Sequence, residues 1–384
     1  MSNERCPNCL GATLVYVAGK TKTCPTCKGT GSIVIKAPVK QKIMIVGEAW
    51  GKDEAAIRAP FVGASGSELN RMLAEAGIRR NECYLTNVFN LQPQPTNDVR
   101  NLCGSRDDDI LTDMPPLAKG KYVLEKYRPE IQRLWQEVAD VQPNLIIALG
   151  NTPMWALTGQ VGIGRLRGAP AESTHPAGFK VIGTYHPAAV LLDWSLRPVV
   201  VADLYKCARQ SAFPEVRRPQ REIWLDPTIQ DIQRFYDQFV IPAKKLSIDI
   251  ETAGQTQITC VGFAPTKDRA IVIPFVDWRK PNGCYWQTAH MEKLAWQLVA
   301  KYCAHEENPD CEVLGQNFLY DINWLLTKVG IRINNFRRDT MLRHHALNPE
   351  LEKSLGFLGS IYTDEPAWKL MRSKNFGSTK RGDE

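Results

Sequence analysis

Residues 42–51 read Lys42-Ile43-Met44-Ile45-Val46-Gly47-Glu48-Ala49-Trp50-Gly51. From Ile43 to Val46 the run is apolar, largely β-branched and unbroken by a polar residue. A strand with one wet face alternates apolar and polar positions, whereas an unbroken run fits a strand buried on both faces, as in a parallel sheet. Glycine and glutamate then end the run abruptly, so polar chemistry begins at the carboxyl end of this strand.

The same rhythm continues outward. Ala59-Pro60-Phe61-Val62-Gly63 leads into a helical pattern in which Leu69, Met72, Leu73 and Ala76 share a face before Gly77, with Ser65 and Glu68 reading as a capping box. Strand-like runs recur at Cys83-Tyr84-Leu85-Thr86, ending at Asn87, and at Leu145-Ile146-Ile147-Ala148-Leu149, ending at Gly150. Another, Val181-Ile182-Gly183-Thr184, runs into Tyr185-His186-Pro187. Strands alternating with helices from Gln41 to about Phe213 predict an α/β fold on a parallel sheet. Open sheets of this kind bind ligands beyond the carboxyl ends of their strands. Glu48, Asn87 and His186 all fall at such ends and are expected to share one pocket.

The chain's 384 residues predict two or three domains, and 43% hydrophobic residues exclude a disordered chain. No apolar run approaches membrane-spanning length, and Met1-Ser2-Asn3-Glu4-Arg5 does not begin a signal peptide, so a cytoplasmic protein without a membrane partner is expected. A net charge of +7 favours a polyanionic partner without requiring one. Eleven cysteines in a reducing compartment read as metal ligands or buried thiols rather than disulfides.

Cys6-Pro7-Asn8-Cys9 and Cys24-Pro25-Thr26-Cys27 form two C-x-x-C knuckles separated by fourteen residues. Four thiolates on two tight turns suit a tetrahedral structural Zn²⁺, and so small a module cannot build its own core. Residues 1–37 are therefore read as a zinc ribbon and 38–213 as the first α/β domain. Residues 214–221, with two prolines and three arginines, read as a linker. Residues 222–384 form a second α/β domain, with a loose polar tail from Leu370.

That second domain carries Leu246-Ser247-Ile248-Asp249-Ile250-Glu251. Side chains alternate along a strand, so Leu246, Ile248 and Ile250 face the core while Asp249 and Glu251 share the other face. Two acids placed so repel unless a cation lies between them, which points to a divalent metal. In Gly315-Gln316-Asn317-Phe318-Leu319-Tyr320-Asp321, Asn317 and Asp321 stand four apart, on one helical face continued by Trp324.

Two family resemblances rest on these residues. Gly47-Glu48-Ala49-Trp50-Gly51, Pro60-Phe61-Val62-Gly63, Thr86-Asn87-Val88 and His186-Pro187-Ala188 together resemble the bacterial and phage branch of the uracil-DNA glycosylases, across about residues 41–210. The resemblance implies that Phe61 stacks on a flipped base and that the Asn87 amide reads its pairing edge. It also implies that His186 stabilises charge on the leaving uracil, while Glu48 positions water or stabilises the cationic sugar. Ala189, Val190 and Leu191 would wedge into the duplex. Trp50 replaces the family's usual proline, and Phe89-Asn90-Leu91-Gln92-Pro93 lacks the cysteine of the iron–sulfur branch. Cys83 and Cys103 do not restore that pattern, so no iron–sulfur cluster is expected. A glycosylase fold kept only for DNA or protein contact is the alternative to an active enzyme.

The Asp-x-Glu strand, Asn-Phe-x-x-Asp, and Arg338-Asp339-Thr340-Met341-Leu342 resemble the 3′→5′ proofreading exonuclease domain of phage-type family A DNA polymerases, over about residues 222–384. This implies an RNase H-like fold in which Asp249, Glu251 and Asp321 ligate two Mg²⁺ or Mn²⁺ ions, and Asn317 and Phe318 hold a frayed single-stranded 3′ end, the phenylalanine against a base. The family's third motif, a tyrosine three residues before an aspartate, has no counterpart; Tyr362 and Asp364 stand too close together. The expectation is the amino-terminal part of a phage replication polymerase working in the infected host's cytoplasm on DNA, including uracil-containing duplex. Polymerase domains are expected in a following segment or on a separate chain. The alternative is a non-catalytic DNA-binding and assembly subunit that docks a separately encoded polymerase.

Overall fold

The computed structural model describes residues 42–254 and 256–365, together with the backbone of four short strands nearer the amino terminus. Of those four, Ser2–Arg5 pairs antiparallel with Ser32–Ile35, and Leu14–Val17 with Lys20–Thr23. Cys6, Cys9, Cys24 and Cys27 of the expected zinc ribbon, and the tail from Leu370, lie outside the described residues. The chain divides into two compact units: Met1–Gly164 with Ala171–Leu192 and Val200–Glu215, and Arg165–Pro170 with Asp193–Val199 and Val216–Glu384.

The first unit is built on a five-stranded sheet ordered Pro170–Thr174, Ala177–Thr184, Leu145–Leu149, Ile43–Ala49, Cys83–Phe89. The last four strands are mutually parallel. Met44, Ile45, Val46 and all of Leu145–Leu149 are fully buried, as their unbroken apolar runs require when helices cover both faces. The helix Ala64–Glu75 buries Leu69, Met72 and Leu73, and Gly77 closes it at φ +74°. Its start corrects the sequence reading, because Gly63 is the N-cap and no side chain caps it. Ser65 lies inside the first turn, and Glu68 is turned inward, 1% exposed, and paired with Arg71 at 3.1 Å. A capping box needs its serine at the N-cap itself; the helix begins two residues too early for that.

The second unit carries a six-stranded mixed sheet ordered Glu222–Trp224, Arg269–Pro274, Gln257–Thr266, Lys245–Ala253, Glu312–Gly315, Phe336–Asp339. Lys245–Ala253, Gln257–Thr266 and Arg269–Pro274 form an antiparallel meander, and Glu312–Gly315 adds in parallel to Lys245–Ala253. Alternation holds along Lys245–Ala253: Leu246, Ile248 and Ile250 enter the core beside Val261, Phe263, Ile273 and Val313, while Asp249 faces outward. The helix Ala289–Ala304 buries Ala295, Val299, Tyr302 and Cys303 against this sheet, and Thr288 caps its start by accepting from the Met291 N–H. Among the described residues no helix is long and apolar enough to cross a membrane.

Candidate active site

The parallel register aligns the strand ends of the first unit. Gly47 stands opposite Asn87, Val46 opposite Ala148, and Thr184 opposite Leu149. The residues just past those ends therefore meet. A β-carbon on Gly47 would lie 2.2 Å from Asn87 Oδ1 and 2.5 Å from Phe61 Cζ. The rings of Phe61 and His186 are 6.3 Å apart at 32°. Gly150, at φ +97°, leaves room for His186, whose Cβ would be 3.4 Å from a β-carbon there. Phe61, Asn87 and His186 thus share one site, and the glycine at position 47 is what lets the ring and the amide approach each other.

Glu48 joins them through Thr152, whose hydroxyl donates to Glu48 Oε2. Thr152 opens the helix Asn151–Thr158 directly after the strand Leu145–Leu149. Burial raises the Glu48 pKa above the usual carboxylate range; the Thr152 bond opposes that shift and the charge of Asp98 adds to it. Part of His186 reaches solvent, yet its ring is seated deeply enough that burial pushes its pKa down to about 4. The imidazole is therefore neutral at neutral pH. Its Nδ1 accepts the Ala188 N–H at 3.2 Å, which leaves the ring proton on Nε2.

Phe61 has a left-handed backbone, φ +56°, and is 5% exposed. Glu54, on the helix Lys52–Ile57, accepts the N–H groups of Val62 (3.1 Å) and Gly63 (3.0 Å), fixing the chain just past the ring. Sequence reasoning missed Thr152 and Glu54. Thr152 carried a usable signal, since it too follows a strand's carboxyl end; Glu54 carried none. Trp50 donates its backbone N–H to Leu91 O at 3.1 Å, while its indole Nε1 is buried without a hydrogen-bond partner. The wedge expectation changes as well. In the helix Pro187–Leu192, Val190 is fully buried, whereas Leu191 is 49% and Leu192 91% exposed.

In the second unit Asp321 is 3% exposed and accepts the Ile250 N–H at 2.9 Å. Burial chiefly, with the nearby charges of Asp249 and Asp339, pushes its pKa up to about 7, against the Ile250 bond. Asp249 and Asp321 therefore sense one another. Carboxylate oxygens suit Mg²⁺ or Mn²⁺ chemically. Among the described residues no three histidine, cysteine, aspartate or glutamate side chains are gathered as a ready-made ion site.

Two further expectations are corrected. Asn317 does not share a helical face with Asp321. The helix is Leu319–Val329, and Asn317 precedes it at φ +51°. Phe318 is fully buried in the core, with its ring 5.1 Å from that of Phe336, and is not available to a base. Asp339, whose neighbourhood was read only as a motif, holds this turn: it accepts from Asn317 N (3.1 Å), Phe318 N (2.8 Å), Met341 N (2.8 Å) and Leu342 N (3.3 Å).

Comparison with known proteins agrees with the first unit's geometry. The uracil DNA glycosylase superfamily description matches residues 35–219. The type-4 uracil-DNA glycosylase of Archaeoglobus fulgidus is 32% identical over 177 residues, covering 44% of this chain and 75% of that protein. The DNA polymerase of Bacillus phage SP01 is 25% identical over 342 residues, 83% of this chain but only 33% of the polymerase. Among solved structures, the Aedes aegypti Nibbler EXO domain aligns at a TM-score of 0.29 and 14% identity, covering 41% of this chain and 76% of that one. The matched residues 35–219 include Glu48, Phe61, Asn87 and His186, and with 32% identity over three quarters of the Archaeoglobus fulgidus glycosylase the chain belongs to the uracil-DNA glycosylase superfamily.

Proposed function

We propose that the protein removes uracil from DNA as part of a replication polypeptide. The observation that carries this is the convergence of Phe61, Asn87 and His186 around Gly47, with Glu48 next to Gly47 on the same strand. A planar pyrimidine flipped out of the duplex stacks on Phe61, and the Asn87 amide pairs with its Watson–Crick edge. As the bond between base N1 and sugar C1′ breaks, the electron pair leaves with the base. The neutral His186 then donates its Nε2–H toward the charge that develops there. Glu48, ionised, favours the cationic sugar or orients the water that adds at C1′. Incubating the full chain with a uracil-containing oligonucleotide and cleaving abasic sites with alkali tests this reading. Strand scission, absent with His186→Ala, is expected; an intact oligonucleotide with the native chain overturns it.

For the second unit we favour binding of a single-stranded 3′ end beside the buried Asp321 carboxyl, which senses the charge of Asp249. The likeness to a phage polymerase supports a place in DNA replication beside polymerase domains. A structural zinc on Cys6, Cys9, Cys24 and Cys27 belongs to the same proposal on spacing alone, and metal analysis of the purified chain tests it. Mg²⁺-dependent trimming of a single strand, lost with Asp249→Ala, would overturn the binding-only reading.

A further inference from the structure

We propose that Arg80 is a positioning residue for the base-stacking ring of Phe61, acting through the carbonyl groups of the Pro60 and Phe61 peptides. This rests on the glycosylase reading of the site. Phe61 is a bulky residue at φ +56°, a conformation that persists only where its surroundings over-determine it. Three groups do so. Arg80 Nη2 donates to Pro60 O at 3.2 Å and Phe61 O at 3.1 Å, while its Nη1 is tied to Asn70 Oδ1 at 2.7 Å. On the other side of the same turn, Glu54 accepts the Val62 and Gly63 N–H groups. Gly66 backs the turn so closely that a β-carbon there would lie 2.0 Å from Phe61 O.

The guanidinium suits this role because it is a planar fork, able to serve two neighbouring carbonyls and an amide oxygen at once. Arg80 makes no contact with Asn87, His186 or Glu48 in its hydrogen bonds. Losing it frees the two carbonyls, and the chain can then relax toward an ordinary backbone conformation that swings the ring away from the pocket. Arg80 thereby supports the reaction without touching the base.

The test uses Arg80→Gln, Arg80→Lys, Phe61→Ala and the double variant Arg80→Gln/Phe61→Ala in the full chain. Single-turnover uracil release should fall about ten- to a hundredfold in Arg80→Gln, be partly restored in Arg80→Lys, and fall no further in the double variant than in Phe61→Ala. Losses that multiply in the double variant would overturn the proposal, since Arg80 would then act on the fold or the DNA directly. A second readout needs no catalysis: 4-fluorophenylalanine placed at position 61 should show one ¹⁹F resonance in the native chain and a shifted or split one in Arg80→Gln. A fluorine at buried Phe89 should not move. An unchanged position-61 resonance would sink the positioning claim even if the native chain released no uracil, and a chain that releases none would separately sink the glycosylase reading.

Discussion

Gly47 and Asn87 face each other across neighbouring parallel strands, and a β-carbon on Gly47 would fall 2.2 Å from the Asn87 amide oxygen. Real β-carbons do not tolerate that distance, so any side chain at position 47 must displace the amide or the Phe61 ring 2.5 Å away. Both belong to the site, at the carboxyl ends of the strands. Gly47→Ala is therefore expected to lower single-turnover uracil release about a hundredfold, the cost of roughly an ångström of misplacement. The melting temperature should change little. Full activity in Gly47→Ala would mean that neither group reads the base.

The two ionisable groups of the site predict the pH profile. His186 is held near 4, so its neutral form dominates throughout the neutral range, while Glu48 is raised and must lose its proton to act. kcat/KM is expected to rise along an acid limb set by Glu48, above the usual carboxylate range, with no step from His186 at 6.5, the ordinary histidine value. Glu48→Gln should remove or lower that limb. An inflection near 6.5 that disappears in His186→Asn would contradict the neutral-imidazole reading.

Asp321 predicts a stability effect of definite sign. Its folded pKa, about 7, lies above the unfolded value near 3.8, so the folded chain binds the extra proton between those limits. The second unit is then more stable below about pH 4 than above pH 7 as far as this group is concerned, and its stability falls as pH rises through the window. Asp321→Asn should flatten that fall in urea unfolding followed from pH 4 to 8. Adding Mn²⁺ should leave the native slope in place if the acids do not gather an ion, and abolish it if they do.

Phe318 separates packing from recognition. Removing a fully buried aromatic ring costs about 3–5 kcal/mol, so Phe318→Ala should show that loss in denaturant unfolding of the second unit. Phe318→Leu, which keeps most of the volume, should bind a single-stranded oligonucleotide as the native chain does. Weakened binding by a folded Phe318→Leu would restore the base-contact role that burial argues against.

How far the sequence could be read follows from the range of each interaction. The strands at Ile43, Leu145 and Val181 were legible because an unbroken apolar run has one stable home, and Glu48, Asn87 and His186 converge because parallel strands present their carboxyl ends on one edge. The alternation of Ile248, Asp249 and Ile250 was legible for the same kind of local reason. Ser65 and Glu68 misled because a four-residue pattern says nothing of where the chain enters the helix, and Gly63 takes the cap. Asn317 and Phe318 misled because spacing alone assumed the helix had already begun; the bonds from their two N–H groups to Asp339, some twenty residues distant, fix a turn there instead. The Arg80 fork on Phe61 spans nineteen residues and leaves no periodic trace.

On the function proposed above, the Phe61–Asn87–His186 site breaks the bond between uracil and deoxyribose. Mass-spectrometric detection of free uracil, after the purified chain meets a single-uracil duplex at neutral pH, tests it most directly. One uracil released per site is expected from the native chain and none above background from His186→Ala. Absence of free uracil with the native chain, or equal release by His186→Ala, would contradict it.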